Sequence, residues 1–325
     1  MRSLVTGGSG FVGSHLVEAL VARGDEVVCL ARADRPGWLE GIPPVRLVRG
    51  DVTDPGVLRQ CVNGVDRVFH VAGLTKARGP AEFFRVNAEG TGNVVGACLA
   101  ADGPPRRLVY LSSLAAIGPS PEPAARGEGG ISRPVSPYGW SKLRGEEEVL
   151  RARDRLRVVV LRPPVVYGPR DRGLWAYARW IRRGFLPIPS GPPRALSLCA
   201  VADLVPALIA AAEAHVPSGE VYHVAGEGAF TWEEVGRAFG TAMGIRARPL
   251  RLPLPLLLAV AAGAETWGRI RGRATVVSRG KVREALGHWV CDIGKARRDL
   301  AFRPGVGLED GVALTVRWYL SHGWL

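Results

Sequence analysis

Lysine is scarce in this chain. Of 43 basic residues, only Lys76, Lys142, Lys281 and Lys295 are lysine. The net charge of +13 invites a nucleic-acid reading. The arginines, however, are spread along the chain without a stripe of interleaved aromatics, so no nucleic-acid partner is expected. The skew fits an arginine-favouring codon composition. Two local clusters stand out, Arg179 to Arg183 and Arg269 to Arg273. Cysteine is sparse as well. Cys29, Cys61, Cys98, Cys199 and Cys291 stand singly, and no pair has metal-ligand spacing. Neither a metal site nor a disulfide framework is expected. No charged segment precedes a separate apolar stretch at the start, so no signal peptide is read and a cytoplasmic location is expected. The apolar run Leu252 to Ala264 is thirteen residues long and carries Pro253 and Pro255. It is too short to span a bilayer. It reads as a packed helix walling a substrate pocket. Peripheral membrane contact, supported by the arginines at 269–273, is the less favoured reading.

What is present is a chain of 325 residues, 47% apolar, enough for one large domain and a smaller lobe. Short apolar strands read at Arg2 to Thr6, Glu26 to Ala31, Val45 to Val48, Arg67 to Val71, Arg107 to Leu111 and Arg157 to Leu161. Helical patterns fall between them at 12–22, 54–63, 82–101 and 137–152. Near-continuous apolar strands alternating with helices imply a parallel sheet covered on both faces. Residues 118–135 form a loop rich in Pro, Gly and charge, of a length common in active-site flaps. Beyond residue 163 the pattern loosens. Residues 185–195 read as irregular, 203–214, 232–243 and 306–322 as helices, and 221–224 as a strand.

The first strand runs into Gly7-Gly8-Ser9-Gly10-Phe11-Val12-Gly13. Gly7, Gly10 and Gly13 allow a sharp turn and a close approach of backbone to a pyrophosphate. Phe11 and Val12 open the helix whose free N–H groups would face the phosphates. Strand before and helix after give the motif its required context. The expected fold is therefore α/β, a Rossmann doubly wound parallel sheet with a smaller C-terminal substrate lobe. Residues 1–165 read as the dinucleotide-binding domain, completed by returning segments at about 197–225. Residues 166–196 and 226–325 read mainly as the substrate-binding lobe. An acidic residue that would bind the ribose of NAD is expected at the end of the second strand, but Ala31 and Arg32 stand there. Arg32, assisted by Arg35, can pair the 2′-phosphate of NADP. NADP(H) is favoured and NAD(H) stays open. Asp51 and Val52 are placed for the adenine edge. Val71, Ala72 and Gly73 end the fourth strand, where small residues let backbone line the cofactor. His70 beside them reads as structural.

Tyr138 and Lys142 are four apart and share a helix face. Ser136-Pro137 before them reads as an N-cap and first-turn proline. A neighbouring ammonium and a nicotinamide cation would lower the phenol pKa from its usual value of about 10. The phenol could then exchange a proton with a substrate oxygen. Ser113, in the Ser112-Ser113 pair ending the fifth strand, can offer a hydroxyl to that same oxygen.

These motifs make the whole chain resemble an extended short-chain dehydrogenase/reductase. TGxxGxxG matches Thr6 to Gly13, YxxxK matches Tyr138 and Lys142, N-x-x-G-T matches Asn87 to Thr91, and R-P-x-x-V-Y-G-P matches Arg162 to Pro169. The resemblance implies catalytic roles for Ser113, Tyr138 and Lys142. It also implies that Lys142 holds the nicotinamide ribose, that Pro163 and Val166 lie near the nicotinamide, and that two chains pair as a homodimer through a four-helix bundle. Nucleotide-sugar epimerases and dehydratases of this superfamily carry an arginine where Leu196 stands, although Arg194 is two residues upstream. The arrangement is more similar to the 3β-hydroxysteroid dehydrogenase and dihydroflavonol reductase-like branch. The leading expectation is an NADP-dependent enzyme interconverting a ketone and a secondary alcohol on an apolar small molecule. A nucleotide-sugar epimerase or dehydratase with tightly bound NAD is the alternative. A non-catalytic cofactor-sensing protein is the third reading.

Overall fold

The computed structural model describes the chain except for residues 33–36, 40–41, 43–44, 121 and 276. The first half alternates strand and helix: β1 (Arg2–Thr6), α1 (Phe11–Ala22), β2 (Glu26–Ala31), β3 (Val45–Arg49), α2 (Pro55–Val62) and β4 (Arg67–His70). Next come α3 (Pro80–Phe84), a π-helical turn at Arg85–Glu89 and α4 (Gly90–Leu99). Then follow β5 (Arg107–Leu111), α5 (Pro137–Arg151) and β6 (Val158–Arg162). The helix read over 82–101 is thus interrupted, and Asn87 is buried within the π turn.

The second half contains β7 (Val165–Tyr167), α6 (Gly173–Arg182), β8 (Phe185–Pro189), β9 (Ala195–Leu196), β10 (Leu198–Ala200), α7 (Val201–Glu213) and β11 (Glu220–His223). It continues through β12 (Phe230–Thr231), α8 (Trp232–Met243), β13 (Arg248–Leu252) and α9 (Leu254–Ile270). The chain closes with α10 (Arg279–Ala285), α11 (Gly294–Asp299) and α12 (Leu308–Ser321). The segment expected to be irregular at 185–195 therefore contains a strand. β8 pairs in parallel with β13, so its partner lies some sixty residues away. Pro187 and Pro189 hide that pairing from any local pattern, because proline lacks an N–H and is tolerated only in edge strands.

Seven strands form one parallel sheet in the order β3-β2-β1-β4-β5-β6-β11. The order reverses between β1 and β4, which opens a crevice beyond their carboxyl ends. One core lies between the sheet and helices α1 and α7, and a second lies under α2, α4 and α5. A third, built by α6, α8 and α12, belongs to the C-terminal half. The strands read as apolar runs because both faces of the sheet are covered. All five cysteines are free and buried. Among the described residues, no helix is long and apolar enough to cross a membrane.

The sheet positions α5 by close packing. A Cβ on Gly139 would stand 2.4 Å from the Ala115 carbonyl oxygen. One on Gly145 would stand 2.3 Å from the Tyr110 hydroxyl and 2.4 Å from the Asn87 carbonyl. Helix propensity alone favours alanine over glycine by about 1 kcal/mol. The overlap with backbone outweighs it. Gly145→Ala is expected to lower stability by about 2 kcal/mol, read as a lower urea midpoint with an unchanged m-value. A midpoint at or above that of the parent would show that α5 can move off the sheet freely.

Candidate active site

The glycine loop sits at the switch point. Gly7 has φ of +72°, a conformation that L side chains rarely adopt. Its amide donates to the Leu30 carbonyl at 3.2 Å, and a Cβ there would lie 2.7 Å from the Ala72 backbone. The Gly10 amide donates to the Gly7 carbonyl at 3.0 Å. A Cβ on Gly13 would lie 2.1 Å from that same oxygen. The loop is folded onto itself so tightly that only glycine fits at Gly7 and Gly13. Phe11 and Val12 follow, half-buried, as the first residues of α1.

The neighbouring strand ends line the crevice. The Val71 amide donates to the Thr6 carbonyl at 3.2 Å, and the Ala72 amide to the Thr6 hydroxyl at 3.3 Å. Gly73 follows, and a Cβ on it would come 3.3 Å from the Asn87 amide oxygen and 3.6 Å from Lys142 Nζ. Asn87 ties this loop to α5: it accepts from the Leu74 amide and donates to the Leu74 carbonyl and the Ser141 hydroxyl. His70 is wholly buried between Thr6 and Thr91, with hydroxyls 2.7 and 2.9 Å from its ring nitrogens. Burial and the nearby Lys142 pull its pKa down to about 3, so it stays neutral and bridges β1, β4 and α4.

At the far edge, Ala31 is buried and Arg32 is exposed. The Arg32 guanidinium stands 3.9 Å from the Asp51 carboxylate, so both residues share one rim. Asp51 also accepts from the amide and hydroxyl of Thr53, each at 2.9 Å. Val52 is buried against Gly90. Arg35 lies outside the described residues.

On the other side, α5 presents Tyr138, Lys142 and Glu146 on one line, four residues apart. Ser136 caps the helix by accepting from the Gly139 amide at 3.0 Å, with Pro137 next in the first turn. Ser113 accepts from the Ala115 amide at 3.2 Å and is hydrogen-bonded to the Tyr138 phenol. The Pro163 carbonyl accepts the Leu114 amide at 2.8 Å, fixing the turn behind Ser113. Val166 lies in β7, paired with Cys199.

The electrostatics differ from expectation in one respect. Burial is the largest influence on Tyr138 and holds its pKa above 10. The cation that opposes this is Lys281 from α10, with its ammonium 5.0 Å from the Tyr138 ring centre. Lys142 is instead engaged by the Leu111 carbonyl at 2.7 Å and the Tyr110 ring at 4.3 Å. Burial pulls Lys142 down to about 7, with Glu146 opposing. For Lys281, burial is outweighed by Glu284 at 3.0 Å and by Tyr138, and its pKa is raised. Glu284 in turn accepts the Ser136 hydroxyl. A short helix near the end of the chain thus roofs the start of α5. Sequence reasoning missed Lys281 and Glu284. The one available signal was lysine's rarity. Lys76, Lys142 and Lys281 converge on this region, and the Lys281 charge also acts on Lys76.

The 118–135 loop is stitched down. Ser120 and Arg126 donate backbone amides to the His288 and Val290 carbonyls at 2.8 and 3.1 Å. Leu196 is buried in the third core, and the Arg194 guanidinium stands 3.2 Å from the His288 ring.

A parallel sheet with this glycine loop at its switch point defines a dinucleotide-binding enzyme of Rossmann type. The chain belongs to the NAD dependent epimerase/dehydratase family, whose model matches residues 3–225, within the extended short-chain dehydrogenase/reductases. Ceramide reductase of Caulobacter vibrioides is 35% identical over 99% of this chain and 95% of its own length. The 2-alkyl-3-oxoalkanoate reductase of Stenotrophomonas maltophilia is 29% identical over 96% and 97%. A dTDP-glucose 4,6-dehydratase double mutant from Streptomyces venezuelae, solved with NAD bound, superposes with a TM-score of 0.81. It is 25% identical, over 100% of this chain and 98% of that one. The chain is accordingly an NAD(P)-dependent enzyme of the short-chain dehydrogenase/reductase type.

The buried lysine carries a pH signature. Folded, Lys142 gives up its proton near pH 7, whereas an ordinary lysine holds it to 10.5. Between these limits the unfolded chain binds the extra proton, so stability rises with pH across that window. Lys142→Met is expected to flatten the rise in urea unfolding of the nucleotide-free protein. An identical slope in parent and variant would remove the buried ammonium from the account.

Proposed function

We propose that this enzyme is an NADP-linked carbonyl reductase acting on an apolar, long-chain or polycyclic ketone. The observation that carries the reading is the fate of two positions. Leu196, where nucleotide-sugar relatives carry a diphosphate-binding arginine, is packed inside the lobe. Arg32 stands exposed 3.9 Å from Asp51, just after the second strand, where an acidic residue would favour NAD. The printed activities of the ceramide and 2-alkyl-3-oxoalkanoate reductases support the same reading.

The residues present fit a nicotinamide dinucleotide. A Cβ at Gly7 or Gly13 would overlap backbone, so the loop keeps its backbone bare at these positions, where a phosphate would sit. Arg32, Asp51 and Val52 would hold the adenosine end, and Val71, Ala72 and Gly73 would present backbone to the middle. Pro163 and Val166 would flank the nicotinamide. The bound dinucleotide supplies the hydride. Tyr138 gives its phenolic proton to the carbonyl oxygen as that oxygen gains charge. Ser113 donates a hydrogen bond to the same oxygen. Lys142 would hold the ribose, and Lys281 lends positive charge beside the phenol.

Two measurements test this. Tyr138→Phe should reduce turnover at least about a thousandfold, with dinucleotide affinity within about twofold, since proton transfer is lost and the cradle is untouched. Turnover close to that of the parent would sink the acid–base assignment. Arg32→Ala should weaken NADPH binding about tenfold, as expected for one charge-assisted phosphate contact, and leave NADH unchanged. Equal affinities before and after would refute the phosphate assignment. So would stoichiometric NAD released on denaturing freshly purified protein, which favours an epimerase or dehydratase.

A further inference from the structure

Helix α9 has two apolar faces and uses one of them. Of its seventeen residues, only Ala261 and Gly268 are buried. They share a face with Glu265, which pairs with Arg279 at the start of α10. The opposite face carries Leu256, Val260, Gly263, Trp267 and Ile270, spaced by four, three, four and three residues. That spacing draws one stripe along about 21 Å of helix. It is open to solvent: Leu256 is 50% exposed, Val260 54%, Trp267 56% and Ile270 72%. Isolated exposed apolar residues need no explanation, but a continuous stripe on one helix does.

Arginine predominates around the stripe, although Arg251 stands 3.9 Å from Glu233. Arg246, Arg248 and Arg251 are exposed before the helix, and Arg269, Arg271 and Arg273 at its end. Among the described residues, neither Arg269 nor Arg273 has a carboxylate within ion-pair distance. The helix's one acidic residue, Glu265, is neutralised by Arg279 at 2.9 Å. Arg271 lies over the Trp267 ring at 4.3 Å, which sets a cation beside an aromatic at one end of the stripe. An apolar stripe with arginines at both ends and a tryptophan near one of them suits the boundary between headgroups and acyl chains.

We propose that α9 docks the enzyme on the surface of an anionic phospholipid bilayer. The stripe enters the acyl boundary and the flanking arginines meet the headgroups. A second copy of the chain is a poorer occupant. With arginines at both ends, parallel and antiparallel pairing of two α9 helices alike bring arginine against arginine. The docking face also adjoins the active-site roof. α9 packs on α10 through the Glu265–Arg279 pair, and α10 carries Lys281 to Tyr138. A substrate held in the bilayer would reach the cleft from that side. The inference stands apart from the proposed reaction, because binding is read without turnover.

The test is flotation of the full-length protein with unilamellar vesicles. One set contains phosphatidylglycerol and phosphatidylcholine, and the other phosphatidylcholine alone. The protein should float with the first set, and far less with the second or at high salt. Val260→Glu combined with Trp267→Glu should lower binding at least tenfold, with far-UV circular dichroism and dinucleotide affinity unchanged. Replacing Arg269, Arg271 and Arg273 by glutamine leaves the apolar stripe intact and should weaken binding about fivefold per arginine. Absence of flotation with the anionic vesicles overturns the proposal, as does flotation that survives either set of substitutions. A solution mass of two chains that falls to one with Val260→Glu also overturns it, by giving the stripe to a second copy.

Discussion

The site depends on one buried ion pair. Glu146 accepts from Arg162 through two nitrogens, at 2.9 and 2.6 Å, and from the Ser112 hydroxyl at 2.5 Å. Both charges are almost wholly out of solvent, so neither can lose its partner without leaving an uncompensated charge behind. Glu146 shares a helix face with Tyr138 and Lys142, while Ser112 and Arg162 lie at the ends of β5 and β6. The pair therefore clamps that face of α5 to the rim of the sheet. Glu146 also supports the Lys142 charge against burial. Arg162 reaches the Glu128 carbonyl at 3.4 Å, and Glu128 takes the His223 amide at 2.9 Å. Helix, sheet and the 118–135 loop are held by one connected set of polar groups. Such a set fixes geometry more firmly than an apolar contact, because its members tolerate few alternative arrangements.

Much of this arrangement was legible in the chain itself. Apolar strand runs, the glycine spacing and the i, i+4 relation of Tyr138 and Lys142 are short-range patterns, and the sheet and α5 follow them closely. What escaped has a common physical cause. The β8–β13 pair, the Lys281–Tyr138 contact and the Ser136–Glu284 hydrogen bond each join residues 60 or more positions apart. No local periodicity encodes them. The π turn around Asn87 escaped for a different reason. Its sequence satisfies a helical pattern, and only the need to place an amide between Leu74 and Ser141 shows why the helix widens there.

Leu196 joins the packing of the third core with Leu198 and Val235, so its side chain serves cohesion of the C-terminal half. α10 brings Lys281 within 5.0 Å of the Tyr138 ring centre, while Lys142 lies over the Tyr110 ring. The phenol then sits between burial, which keeps its proton on, and Lys281, which draws it off.

The five cysteines have a practical consequence. Burial pushes Cys29 up to about 11 and Cys98 and Cys291 to about 12, and raises Cys61 and Cys199 as well. At neutral pH almost no thiolate exists, and alkylating or oxidising reagents have little to attack. With all five thiols buried, the native chain is expected to react slowly with maleimides. A single cysteine introduced at a surface position becomes a unique attachment point for a spin label or fluorophore, with no prior removal of native thiols.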